Sequence, residues 1–215
     1  MSMIDWLAAQ GVVVSIGHST ANAAQILDAV RAGARLSTHL GNGCAETMHR
    51  HHNPIWEQLA EDRLCASFIV DGHHLPPAMV KAMIRAKSAA RSFLVTDATA
   101  PAGCAPGPYK FGDQNVELTA EGRVQLSGAT SEATSGATSG TSRLAGSALR
   151  MDQAVANTVR FAGIAWEEAL AMAGPQAAAA AGMSFPNDRV VLEISEQEIV
   201  VCSTIREGET LWERQ

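Results

Sequence analysis

Histidine and aspartate recur at one kind of place along this chain. His18, His39, Asp71 with His73 and His74, and Asp97 each stand at, or directly after, the end of a short apolar run. Imidazole is a good ligand for zinc or iron, and a carboxylate beside a metal-activated water is a natural general base. A bound metal lowers the pKa of water to about 7, so hydroxide becomes available at neutral pH. Asp97 would accept the water's proton and return it to a leaving nitrogen, which is general acid–base chemistry. Each residue alone has a plainer reading, as a hydrogen-bonded strand-end histidine or an aspartate that caps a helix. The set carries more weight than its members, because all of them project from one rim of a repeated unit. A second cluster, His49-Arg50-His51-His52, follows His39. It reads either as a solvated loop or as an anion-recognition element, in which Arg50 offers a bidentate fork and the histidines add donors.

The elements that would position these side chains alternate in period. Residues 12–17 form a short β-branched run suited to a strand buried on both faces. A helix over 21–31 follows, with Ser19 or Thr20 as its cap and Gly33 at its C-terminal end. Residues 35–40 read as a second strand, a loop over 41–54 leads to a helix around 55–59, and 65–70 is a third strand. Pro76-Pro77 opens another helix, and 92–96 is a fourth strand. Strand and helix in alternation imply a parallel sheet with crossover helices, whose C-terminal strand ends form the functional edge.

Beyond Asp97 the pattern changes. Residues 98–108 are a Gly/Pro/Ala-rich loop, and 109–126 read as short strands broken at Gly112 and Gly122. An Ala-Thr-Ser tetrapeptide repeat begins at Ala129 and predicts a flexible insertion near 127–143. Helices are expected over 147–162 and 166–181, then a hairpin from 190–194 and 198–205.

Composition narrows the class. A chain of 215 residues with 47% hydrophobic and 18% charged residues can bury a real core. A net charge of −6 and the lack of a basic stripe argue against nucleic acid. Without a membrane-length apolar run or a signal-peptide pattern, the expected location is cytoplasmic. There Cys44, Cys65, Cys104 and Cys202, which form no CxxC pair, read as free thiols.

Gly17-His18-Ser19, Thr38-His39-Leu40, Asn42, Arg50, Asp71-Gly72-His73-His74, the run from Leu94 to Ala98, and Leu144-Ala145-Gly146-Ser147 occur in an order that resembles the N-acetylglucosamine-6-phosphate deacetylase family of the amidohydrolase superfamily. The match covers most of 12–182. The resemblance implies the second half of a (β/α)8 TIM-type barrel over 1–182, with 183–215 as the C-terminal strands of a small β domain. It further implies His18 and His39 as ligands of a divalent metal (zinc first, iron or another ion second) and Asp97 as the proton shuttle. Asn42, Gly43, His74, Leu144, Ala145 and Gly146 match substrate-contacting positions. Arg50 matches an arginine that reaches the sugar phosphate, commonly from a neighbouring subunit, so a homo-oligomer is expected. The reaction implied is hydrolysis of an acetamide on an amino sugar phosphate.

Two departures stand out. Family members carry a larger residue at position 41 and Ala-Met in place of Gly43-Cys44, which with His51-His52-Asn53-Pro54 suggests a divergent branch. They also possess an N-terminal half with a glutamate metal ligand, whereas residues 1–10 resemble only the helix before the fifth barrel strand. The expectation is therefore a truncated or split reading frame. Four parallel strands cannot close a barrel, and their open edges invite association. Two alternatives stand beside the deacetylase: another metal-dependent amidohydrolase, and a non-catalytic half-barrel that only binds or assembles.

Overall fold

The computed structural model describes residues 2–127, 143–184, 187–195 and 198–214. The Ala-Thr-Ser repeat and its expected role as a flexible insertion lie outside them. The chain forms two compact units, Met1–Val95 with Met151–Gln215, and Thr96–Arg150.

The first unit is built on a four-stranded parallel sheet in sequential order: β1 (Val14–Ile16), β2 (Ala34–Ser37), β3 (Cys65–Phe68) and β4 (Ser92–Leu94). Its crossovers are α2 (Ala23–Arg31), α3 (Pro54–Ala60) and α4 (Pro77–Lys87), while α1 (Met3–Ala9) precedes β1. This is the arrangement of half a (β/α)8 barrel. The register pairs Ile16 with Ser37, Ser37 with Ala66, and Phe68 with Leu94. Phe68, Ile69, Val70, Leu75, Val80 and Leu94 are almost wholly buried, so the centre of the sheet lies inside the core. α5 (Met151–Ala162), α6 (Trp166–Ala173) and α7 (Pro175–Ala180) belong to the same unit, and the latter two pack on β4.

A buried cation ties α3 to α4. Lys87 is 1% exposed, and its Nζ donates to the carbonyls of Gln58 at 2.8 Å and Glu61 at 2.7 Å. These lie at the C-terminal end of α3, where carbonyls lack intrahelical partners and a cation suits the helix dipole. Burial nonetheless pushes the Lys87 pKa below its ordinary value.

The unit also holds an antiparallel sheet of β8 (Arg189–Ile194), β9 (Ile199–Arg206) and β10 (Glu209–Glu213), ordered β10-β9-β8. The second unit contains the antiparallel sheet β5 (Gly107–Phe111), β6 (Gln114–Leu118) and β7 (Val124–Leu126). Its own small core is Val116, Leu118 and Val124, with Tyr109 and Leu126 against it.

Several sequence-based boundaries move. The cap of α2 is Asn22, in a capping box with Gln25, because the Ser19 hydroxyl instead accepts the Ala21 amide. The helix expected over 166–181 breaks at Gly174-Pro175, since proline cannot continue it. The helix expected from 147 begins at Met151. The hairpin gains a third strand, β10, through the turn at Glu207 and Gly208, both with positive φ.

Candidate active site

Strand and corner chemistry place the candidate side chains. β1, β2 and β4 stop earlier than their apolar runs suggest. Just beyond them His18 (φ 47°), His39 (φ 29°) and Asp97 (φ 51°) take up the left-handed backbone conformation. Among the described non-glycine residues only Ser88 and Glu207 also have a positive φ. Such corners cost roughly 1–3 kcal/mol each and gather at functional sites.

In the first unit the corners bring two imidazoles together. His18 Nε2 lies 3.0 Å from His39 Nε2, with the rings edge-on at 75°. His39 is 7% exposed, whereas His18 is exposed. The His39 amide donates to Ser67 Oγ at 2.6 Å, and that hydroxyl donates to the Ser37 carbonyl at 3.2 Å. A buried serine of β3 therefore pins the corner that ends β2. Asn42 closes the turn, its amide donating to the His39 carbonyl at 3.0 Å and its Nδ2 to the same oxygen at 3.1 Å. Gly43 (φ +65°) is required, because a Cβ there would lie 2.5 Å from His18 Nδ1. A cavity of about 20 Å³ beside the pair is lined by His18, Asn42, Cys44 and Gln58, among others.

The donor set fits part of a metal site. Two nitrogens each ~2.0–2.1 Å from a tetrahedral ion stand roughly 3.3 Å apart. The histidine pair suits two positions on one ion, and without an ion one ring nitrogen donates its proton to the other. Among the described residues no group of three His, Cys, Asp or Glu side chains is placed to hold a metal. The buried His39 Nδ1 also has no hydrogen-bond partner among them. A ligating imidazole normally donates its second N–H to a carboxylate, carbonyl or water, so this nitrogen marks where a further acceptor would fit.

After β3, Asp71 orients His74. Its Oδ1 accepts the amides of His73 and His74, both at 2.8 Å, and Oδ2 lies 2.6 Å from His74 Nδ1. Burial pushes the Asp71 carboxyl up, but the bonds from the His74 ring and the His74 and His73 amides outweigh it, and its pKa falls. An ionised Asp71 only accepts, so His74 Nδ1 carries the proton and Nε2 is left for another partner. Asn157 of α5 buttresses this corner, donating to the Val70 carbonyl at 2.8 Å.

The basic cluster is only partly available to a ligand. His49 Nδ1 accepts the amides of His51 at 3.2 Å and His52 at 3.0 Å, and its ring stacks on His52. Those histidines build the loop, which presents an exposed Arg50.

In the second unit Asp97 stands with the segment of Leu144, Ala145 and Gly146. The Asp97 carbonyl accepts the Ser147 amide at 2.9 Å, and Ala98 and Ser147 form a parallel bridge. Leu144 pairs with Gln125, and the Ala145 amide donates to Val124 at 3.0 Å. Sequence alone assigns no role to Ser67, Asn157 or Ser147. The available signal was a polar residue inside an otherwise apolar run, as Ser67 is in 65–70.

Comparison with known proteins gives this arrangement a context. The chain is 35% identical over 178 residues to the N-acetylglucosamine-6-phosphate deacetylase of Lysinibacillus sphaericus, covering 83% of this chain and 42% of that protein. It is 34% identical over 174 residues to the N-acetylgalactosamine-6-phosphate deacetylase of Escherichia coli O157:H7, covering 80% and 42%. A solved variant of N-acetyl-D-glucosamine-6-phosphate deacetylase from Mycobacterium smegmatis, in complex with N-acetyl-D-glucosamine-6-phosphate, superposes with a TM-score of 0.81 at 28% identity. That superposition covers 96% of this chain and 53% of the other.

The chain belongs to the N-acetylglucosamine-6-phosphate deacetylase family.

It spans about half the length of the relatives it matches. No family model matches it. These deacetylases are hydrolases of the amidohydrolase type, a class that is generally metal-dependent. No described helix is long and apolar enough to cross a membrane.

Proposed function

We propose that this chain supplies the second-half barrel of a cytoplasmic enzyme that hydrolyses the acetamide of N-acetylglucosamine 6-phosphate, giving glucosamine 6-phosphate and acetate. The observation that carries the reading is the meeting of His18 and His39 through Nε2 at 3.0 Å, from left-handed corners on adjacent strands. In this reading residues 1–182 are the barrel part and 183–215 the strands of the small β domain. The working site also uses polypeptide corresponding to the half of the relatives that this chain does not span, including the third metal ligand.

His18 and His39 would hold the ion, zinc first and iron or another divalent ion second. When bound, it supplies Lewis-acid activation of water and of the amide carbonyl. The Asp97 carboxylate takes the proton of the attacking water and delivers it to the departing amine nitrogen as the C–N bond breaks. Asn42, Gly43 and the backbone of Leu144, Ala145 and Gly146 contact the sugar. His74, with Nδ1 tied to Asp71, offers Nε2 to the substrate. Arg50 reaches a sugar phosphate on a neighbouring subunit of a homo-oligomer, where its planar fork suits a phosphate.

A specific observation favours each of two further readings. The relative named N-acetylgalactosamine-6-phosphate deacetylase favours the 4-epimer as substrate, and the lack of a third ligand among the described residues favours a half-barrel that binds without turnover. Acetate release decides among them, measured on the purified chain with each epimer and zinc, alone and mixed with polypeptide spanning the other half. Asp97→Asn is expected to lower turnover about 100-fold or more. Arg50→Ala should raise KM for the phosphorylated sugar and leave its unphosphorylated counterpart unchanged. Turnover that survives Asp97→Asn rules out the proposed shuttle, and binding of either sugar phosphate without acetate release supports the non-catalytic reading.

A further inference from the structure

Asp97 is an exposed carboxylate on a strained corner, and exposure alone would leave it free to wander. The second unit contains a device against this. Ser147, 2% exposed, meets the Asp97 corner on both flanks. Its amide donates to the Asp97 carbonyl at 2.9 Å, and its carbonyl accepts the Thr99 amide at 3.0 Å. Its hydroxyl donates to the Thr96 carbonyl and accepts the Leu149 amide at 3.1 Å. Thr99 returns the link, its hydroxyl donating to the Ala145 carbonyl at 3.3 Å. Gly146 (φ +76°) lets the strands close, since a Cβ there would stand 2.3 Å from Thr99 Cγ2 and 3.1 Å from the Asp97 carbonyl oxygen.

We propose that Ser147 is a positioning residue that latches Asp97 to the backbone of Leu144, Ala145 and Gly146, fixing the distance between the proton-carrying carboxylate and the sugar-contacting segment. The proposal rests on the roles given above to Asp97 and to residues 144–146. A left-handed aspartate needs surroundings that over-determine it. Ser147 supplies them from a point about fifty residues along the chain, on the very segment whose spacing from Asp97 matters. Displacement of a reacting group by about 1 Å costs about 100-fold in rate, so a latch between the two is worth more to catalysis than to folding. Two of these Ser147 bonds are backbone to backbone and two run through its hydroxyl, and only the hydroxyl pair can be removed by substitution.

The test uses the full chain with Ser147→Ala and Ser147→Thr, read by amide hydrogen exchange at Thr99 and at Val116 in the core of the same unit. Ser147→Ala is expected to speed exchange at Thr99 about tenfold or more and leave Val116 unchanged, and Ser147→Thr is expected to restore it. Equal acceleration at both amides, or none at Thr99, overturns the latch. Where acetate release is measurable, Ser147→Ala should lower kcat about 100-fold in the wild-type background and not at all in Asp97→Asn, because it acts through Asp97. An additive loss would overturn the positioning role. The expected exchange pattern with no acetate release, even in the mixture with polypeptide spanning the other half, would sink the deacetylase reading and leave the latch standing, which separates the two failures.

Discussion

The parallel sheet and the C-terminal sheet of the first unit are both hydrogen-bonded ladders of short strands, and they differ in what covers them. Every residue of β4 and three of the four in β3 are buried, with Phe68 at 0% and Leu94 at 1% exposure. In the β8–β10 sheet, Val190 is 54% exposed, Leu211 62% and Trp212 49%. Backbone pairing contributes little net stability in water, about 1 kcal/mol per bond, whereas burial contributes roughly 25 cal/mol per Å² of apolar surface. The parallel sheet therefore has stability to set against local strain. Both strained histidine corners of this unit stand at its strand ends. The positive φ in the C-terminal sheet falls at Glu207, in a two-residue turn with Gly208 where that conformation is ordinary hairpin chemistry.

Breaking the packed sheet should produce the largest effect. Phe68→Ala is expected to cost about 3–5 kcal/mol in urea unfolding, enough to unfold a marginal domain. Lys87→Ala should follow, at about 2–3 kcal/mol, because it leaves the buried Gln58 carbonyl and the half-buried Glu61 carbonyl at the end of α3 without their donor. A smaller loss is expected from acid. The Asp71 pKa is depressed in the fold, so its contribution is fully present above the unfolded value of about 3.9 and lost as pH falls through the folded value. Asp71→Asn should flatten that part of the stability curve below about pH 4, as followed by thermal melts. Smallest of all, Trp212→Ser should change stability by less than ~0.5 kcal/mol. Its effect should appear as reduced self-association in light scattering, since it removes exposed apolar surface.

Much of the parallel sheet was legible because buried strands are written as β-branched runs and crossover helices as period-3.6 segments. The strand ends were not. A run such as 35–40 looks continuous, yet β2 stops at Ser37 because His39 turns left-handed, a property of the corner that no periodicity encodes. Gly174-Pro175 did carry its own warning and splits a helix that apolar spacing alone would join. In the candidate site, residue type revealed His18 and His39. The buried serines were hidden for a physical reason. Ser67 acts on His39 across 28 residues and Ser147 on Thr96 across 51, and such roles exist only once the chain is folded.

The central claim is that His18 and His39 form two positions of one metal site. Calorimetric titration of zinc into the purified chain, beside the His18→Ala and His39→Ala variants, tests it most directly. One-to-one binding is expected in the wild-type chain, weakening at least about tenfold in either variant, since each removes one of the few available ligands. Identical isotherms for the wild-type chain and both variants would contradict it, leaving the imidazole pair as a hydrogen-bonded corner of the sheet.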